Sequence, residues 1–215
     1  MSKYRHPLFL IPADRPRLSR LIAFALGAAT TLAFAPFGLS LLAPLLVLPL
    51  LLISLSAAPR DAAAPACWYG FGLFLTGTYW IYISVHVFGN AALWIALLLM
   101  FGLALIMAAF LSFAGWLMSR LAGGEPWLLL PVAPAAWVLV EWLRGWELPG
   151  VPWMACGYGQ SDTGVAGWAP VLGVYGVSFM VVFSASALIA TAMASSPRGR
   201  VFGGACVVLP WLVGV

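Results

Sequence analysis

Charge is what this sequence lacks most. Asp, Glu, Lys and Arg make up 7% of its 215 residues, against about 25% in an ordinary soluble domain. A water-soluble fold is excluded by that shortage, because too few polar residues remain to cover an apolar core. Cysteine is also scarce: Cys67, Cys156 and Cys206 form an odd set without metal-ligand spacing, so they read as small packing residues. None has a sequence neighbour that would activate a thiolate. No basic patch is interleaved with aromatics, and the net charge of +4 resides mostly at the N-terminus, which argues against nucleic acid. Ser-His-Asp and HExxH patterns are missing, and Gly70-x-Gly72 lacks the third glycine and strand–helix setting of a nucleotide loop. Neither a cofactor nor a metal is expected.

What is present is apolar: 64% of residues are hydrophobic and the mean hydropathy is +1.04. The expectation is an all-α integral membrane protein, a bundle of about seven transmembrane helices. Residues 1–20 form a basic N-terminus, with Lys3, Arg5, Arg15, Arg17 and Arg20 against Asp14. Residues 21–215 form the polytopic domain. A first span over Leu21–Ala35 could pass for a signal peptide ending Ala33-Phe34-Ala35. Pro36 directly after that point, and further spans at once, favour a helix closed by Pro36-Phe37-Gly38.

The second span runs over Leu39–Ser56, where Pro44 and Pro49 should kink it. The third, Pro65–His86, is rich in Gly, Trp and Tyr, and its small residues should let neighbouring helices approach closely. His86 at its end reads as a polar cap. The fourth, Ala91–Ser119, has 29 uncharged residues and must tilt or project. A fifth covers Trp127–Leu143, a sixth Trp168–Met193, and a seventh begins near Val201, with the chain expected to stop inside it. With the N-terminus in the cytoplasm and strict alternation, nine of the ten basic residues fall inside and only Arg144 outside, as the positive-inside rule requires.

The stretch Glu141–Gln160, EWLRGWELPGVPWMACGYGQ, interrupts the apolar runs. Glu141 and Arg144 stand three apart on a helix end, so they share a face and can pair. Two readings are open: an ion pair that ends the fifth helix, or a polar wall lining a lipid head-group site. Trp142, Trp146, Trp153 and Trp168 fit an aromatic belt. Pro149-Gly150-Val151-Pro152 excludes a regular helix, so the connection between the fifth and sixth spans should be interfacial, shielded by protein where it dips inward. Gln160, Ser161 and Asp162 add polar groups there.

Four blocks carry a resemblance. They are Thr31-Leu32-Ala33-Phe34-Ala35-Pro36-Phe37; Tyr69-Gly70-Phe71-Gly72-Leu73-Phe74 with Trp80-Ile81-Tyr82-Ile83-Ser84-Val85-His86; Glu141-Trp142-Leu143-Arg144-Gly145-Trp146; and Pro152-Trp153 through Gly157-Tyr158-Gly159-Gln160 to Gly167–Ser178. Together they resemble the membrane half of bacterial apolipoprotein N-acyltransferases, from about residue 20 to the end. Two departures stand in the connection: Leu148-Pro149-Gly150-Val151-Pro152 replaces the family's usual Thr-Gly-Phe-Pro, and Gly159 a usual serine.

The resemblance implies a multi-pass protein of the bacterial inner membrane. Its family moves an acyl chain from phospholipid to the amine of diacylglyceryl-cysteine on an apolipoprotein. The family's Cys, Glu and Lys chemistry belongs to an outer nitrilase-like domain beyond Val215, so no catalytic residue is carried over and this chain alone is expected to be inactive. Glu141, Arg144, Trp153 and Gln160 are the lipid-cavity candidates. The rival readings are a transporter or channel piece, which the absence of an internal repeat and of paired intramembrane charges disfavours, and a non-catalytic anchor.

Overall fold

The computed structural model describes residues 15–147 and 150–214, and within them the chain is helical with no strand. The cations Lys3 and Arg5, with Asp14, Leu148, Pro149 and Val215, lie outside the described residues. Helix α1 is Pro16–Thr30, α2 Leu42–Ser56 and α3 Pro59–Gly77; a single turn, α4 (Trp80–Tyr82), continues as a π-helical Ile83–Phe88. Helices α5 (Leu93–Ala122), α6 (Pro126–Trp146), α7 (Ala169–Met193) and α8 (Pro197–Val213) complete the set.

Proline sets several starts. Pro16, Pro59, Pro126, Pro170 and Pro197 occupy the first or second position of their helices, where the missing N–H has no partner to lose and φ is already helical. This moves boundaries away from the sequence reading. Helix α1 takes in Arg17 and Arg20, α3 begins six residues before Pro65, and α8 starts inside the expected basic turn, with Ser196 Oγ accepting from Gly199 N at 3.1 Å. Pro44 falls in the first turn of α2, and the helix runs on through Pro49.

The third expected span is not one straight helix. Between Gly77 and Trp80 the axis turns by 46°, and none of Trp80–Phe88 is buried. His86 Nδ1 lies 2.8 Å from the carbonyl oxygen of Ala91, so the ring ties this bent piece to the start of α5. Three helical segments are long and apolar enough to cross a membrane: Leu93–Ala122, Pro126–Trp146 and Gly164–Met193. The bent pair makes four if counted as one span. Helix α2, with 15 residues, reaches about 22 Å at 1.5 Å per residue, short of a hydrocarbon layer of about 30 Å.

Small residues set the spacing, as read from the third span. A Cβ at Gly27 would overlap the Tyr69 carbonyl and one at Gly72 the Phe24 carbonyl, so α1 and α3 meet backbone to backbone. On the other side of α3, a Cβ at Gly70 would sit 2.9 Å from Ala108 Cα, and one at Gly115 2.5 Å from Ala66 Cβ. The alternating helices bring the α1–α2, α3–α5 and α6–α7 connections to one end of the bundle. The α2–α3, α5–α6 and α7–α8 turns lie at the other, and so do Arg15, Arg17, Arg20, Arg60, Arg120, Arg198 and Arg200. Among the described residues, Arg144 is the one cation at the first end.

Candidate functional site

At that first end, α6 delivers Glu141 and Arg144 onto one face, three residues apart. Both are buried, at 2% and 3% exposure, with 3.8 Å between Arg144 Nη2 and Glu141 Oε1. The same carboxylate oxygen accepts from Trp137 Nε1 at 2.8 Å and from the backbone N–H of Cys156 at 2.7 Å. Arg144 donates through Nη1 to the Trp153 carbonyl and lies 5.0 Å from the Phe74 ring centroid, a desolvated cation–π contact. The pair is therefore a joint. One helix turn grips the connection at Trp153 and Cys156 and faces α3 through Phe74.

Glu141 Oε2 is buried without a hydrogen-bond partner among the described residues. A buried acceptor left unmade costs free energy that the rest of the joint must offset.

The connection folds as two 3₁₀ turns, Cys156–Gln160 and Gly164–Trp168. It lies against α7: Gly157 N donates to Ser178 Oγ at 2.8 Å, and a Cβ at Gly157 would overlap the Val174 carbonyl. Ala155–Gly157, Gly159, Gln160 and Val165 are thus buried by protein, while Pro152, Trp153, Tyr158, Ser161 and Asp162 of the same connection stay exposed. Gln160 is fully buried, but its amide points elsewhere: Nε2 donates to Ser40 O at 3.0 Å and Oε1 accepts from Thr163 Oγ1 at 3.2 Å. It ties the connection to the α1–α2 turn.

Of the four candidates, Glu141, Arg144 and the Trp153 backbone come together, while Gln160 forms a separate tie. The Trp153 ring is half exposed and meets Trp80 edge-on at 5.5 Å. Trp142 and Trp146, 46% and 74% exposed, pair with each other at 6.2 Å at the end of α6. Trp168 is partly buried, with Nε1 donating to Pro210 O at 2.8 Å, so it joins the connection to α8.

Sequence reasoning missed Trp137, although its place four residues before Glu141 was a usable signal. The Cys156 N–H, Ser40 and Ser178 had none, since tertiary folding alone brings them in. Burial and the nearby Glu141 carboxylate push the Cys156 thiol well above its ordinary range, so it is no nucleophile. Among the described residues no group of three His, Cys, Asp or Glu side chains could hold a metal ion.

Fold and site together define an all-helical domain of membrane type, closed at one end by a buried charged joint under exposed tryptophans. Comparison with known proteins gives the family. Residues 26–187 match the model of the apolipoprotein N-acyltransferase N-terminal domain. The chain is 40% identical over 192 residues to the apolipoprotein N-acyltransferase of Methylococcus capsulatus, an alignment covering 88% of this chain and 38% of that protein. It is 41% identical over 205 residues to that of Azotobacter vinelandii and 38% over 205 to that of Pseudomonas putida. These alignments cover 91% of this chain and 38% and 39% of those proteins. The chain belongs to the apolipoprotein N-acyltransferase family, carries its N-terminal domain, and spans about two fifths of the length of these relatives.

Proposed function

We propose that this chain is the membrane part of an enzyme that moves an acyl chain from a phospholipid donor to the N-terminal amine of diacylglyceryl-cysteine in an apolipoprotein. In this reading α1, α2, α3 with its bent continuation, α5, α6, α7 and α8 supply about seven passes through the bacterial inner membrane, the shorter helices reaching across with their flanking turns. The N-terminus lies in the cytoplasm, and the α6–α7 connection lies at the outer interface. The observation that carries the proposal is the polarity of the bundle. Seven arginines gather at one end, and the buried joint with its exposed tryptophans closes the other.

A lipid substrate reaches such an enzyme sideways, with its head group at the interface and its chains along the helices. Tryptophan suits that depth, because its ring is apolar and its N–H wet. Trp153 and Trp80 form the lipid-facing lip. Glu141 and Arg144 hold the lip from within, and Gln160 fixes its far side, so the four candidates shape the outer end of the lipid path without touching the reacting atoms.

The test is acyl transfer from labelled phospholipid to a diacylglyceryl-cysteine peptide by the full-length protein in proteoliposomes. Transfer that requires the whole protein, and whose phospholipid KM rises in Trp153→Ala, is the expected result. Absence of transfer by the folded full-length protein contradicts the proposal.

A further inference from the structure

The arginine-rich end carries a feature that acyl transfer does not use. There the α5–α6 and α7–α8 turns lie side by side. Trp127, in the first turn of α6, packs tilted against Phe202 of α8 with 6.0 Å between ring centroids. Gly199 lies against the same ring, since a Cβ there would sit 3.4 Å from Trp127 Cζ2. Both rings stay open to the outside, Trp127 at 40% and Phe202 at 60% exposure.

Arg198 and Arg200 sit in the same turn of α8, both exposed. Arg200 is steadied by its Nε donating to Ala194 O at 3.2 Å. Neither forms an ion pair with an acid among the described residues. Arg120, at the end of α5, adds a third cation to these two turns, and Glu125 is their one acid. The result is an aromatic step between two helices, bordered by unpaired guanidinium groups.

We propose that this notch binds an anionic phospholipid of the adjoining leaflet, its phosphate within reach of Arg198 and Arg200, which flank Gly199 on either side of the Trp127 contact, and its chains along Trp127 and Phe202. Guanidinium groups suit phosphate because their N–H groups match two oxygens at once. Basic pockets between helices take anionic head groups for this reason, and the aromatic pair selects a lipid over a free anion. The inference rests on the membrane reading of the chain and is independent of acyl transfer.

The experiment is native mass spectrometry of the detergent-purified full chain titrated with phosphatidylglycerol or phosphatidylcholine at equal concentration. The wild-type chain retains phosphatidylglycerol preferentially. Arg198→Gln weakens that binding about fivefold and Arg198→Gln/Arg200→Gln about 25-fold, while phosphatidylcholine binding does not move. Arg60→Gln, at the same end of the bundle but on α3, changes it less than twofold. Equal phosphatidylglycerol binding by wild type and the double variant overturns the proposal. So does an equal loss in Arg60→Gln, because the attraction would then be diffuse. Arg198 is exposed, so its single variant keeps the test decisive if the double variant fails to fold.

Discussion

Replacing Glu141 is the sharpest perturbation of the buried joint. Glu141→Ala removes the acceptor of two hydrogen bonds, from Trp137 Nε1 and Cys156 N, and leaves the Arg144 guanidinium buried beside a void. Breaking a buried pair from one side costs about 3–5 kcal/mol, most of it the uncompensated charge. Glu141→Gln keeps an oxygen for the two N–H groups and loses only the charge, so about 1–3 kcal/mol is expected. Combining it with Arg144→Met removes both charges, so the double variant should lose about 1–3 kcal/mol less than the sum of the two single losses. Unfolding of the purified chain in mixed micelles, titrated with a denaturing detergent, measures the wild type and all four variants. A Glu141→Ala loss under about 1 kcal/mol, or simple additivity in the cycle, would refute the joint as the element that fixes the connection.

Other outcomes follow from neighbouring contacts. Gly72→Ala forces a methyl onto the Phe24 carbonyl at the α1–α3 crossing and should cost about 1–3 kcal/mol, measured by the same unfolding titration. Cys156 should resist maleimide at neutral pH in the folded chain and react only after unfolding, as peptide mapping of the modified chain would show. Its raised thiol pKa also sets a sign. The unfolded chain releases this proton near the ordinary value of 9.0 while the fold holds it, so Cys156 makes stability fall as pH rises past that value. Cys156→Ala should soften that alkaline decline, as unfolding midpoints between pH 8 and 10 would reveal.

Much of the fold was legible because its signals are local. Long uncharged runs mark the helices, though not their Pro-set starts, and the glycines of Tyr69–Phe74 mark the close crossings. The bend after Gly77 was not read: Gly77 and Thr78 are weak helix formers, but a single glycine does not fix a turn, and here the bent piece also packs against α5 and Trp153. At the site, the Glu141–Arg144 spacing announced the pair, but not its depth. That burial comes from Phe74 and the folded-back connection, which approach only in three dimensions. Gln160 read as part of the same wall for a similar reason: proximity in sequence hid that its amide turns toward Ser40.

Sidedness is the claim on which the functional reading stands, and cysteine labelling in intact cells measures it directly. With Cys67, Cys156 and Cys206 replaced by alanine, Asp162→Cys should react with a membrane-impermeant maleimide in whole cells whose outer membrane has been opened. Ser195→Cys should react only after the inner membrane is broken. The reverse pattern, or labelling of both sites in intact cells, would contradict the account.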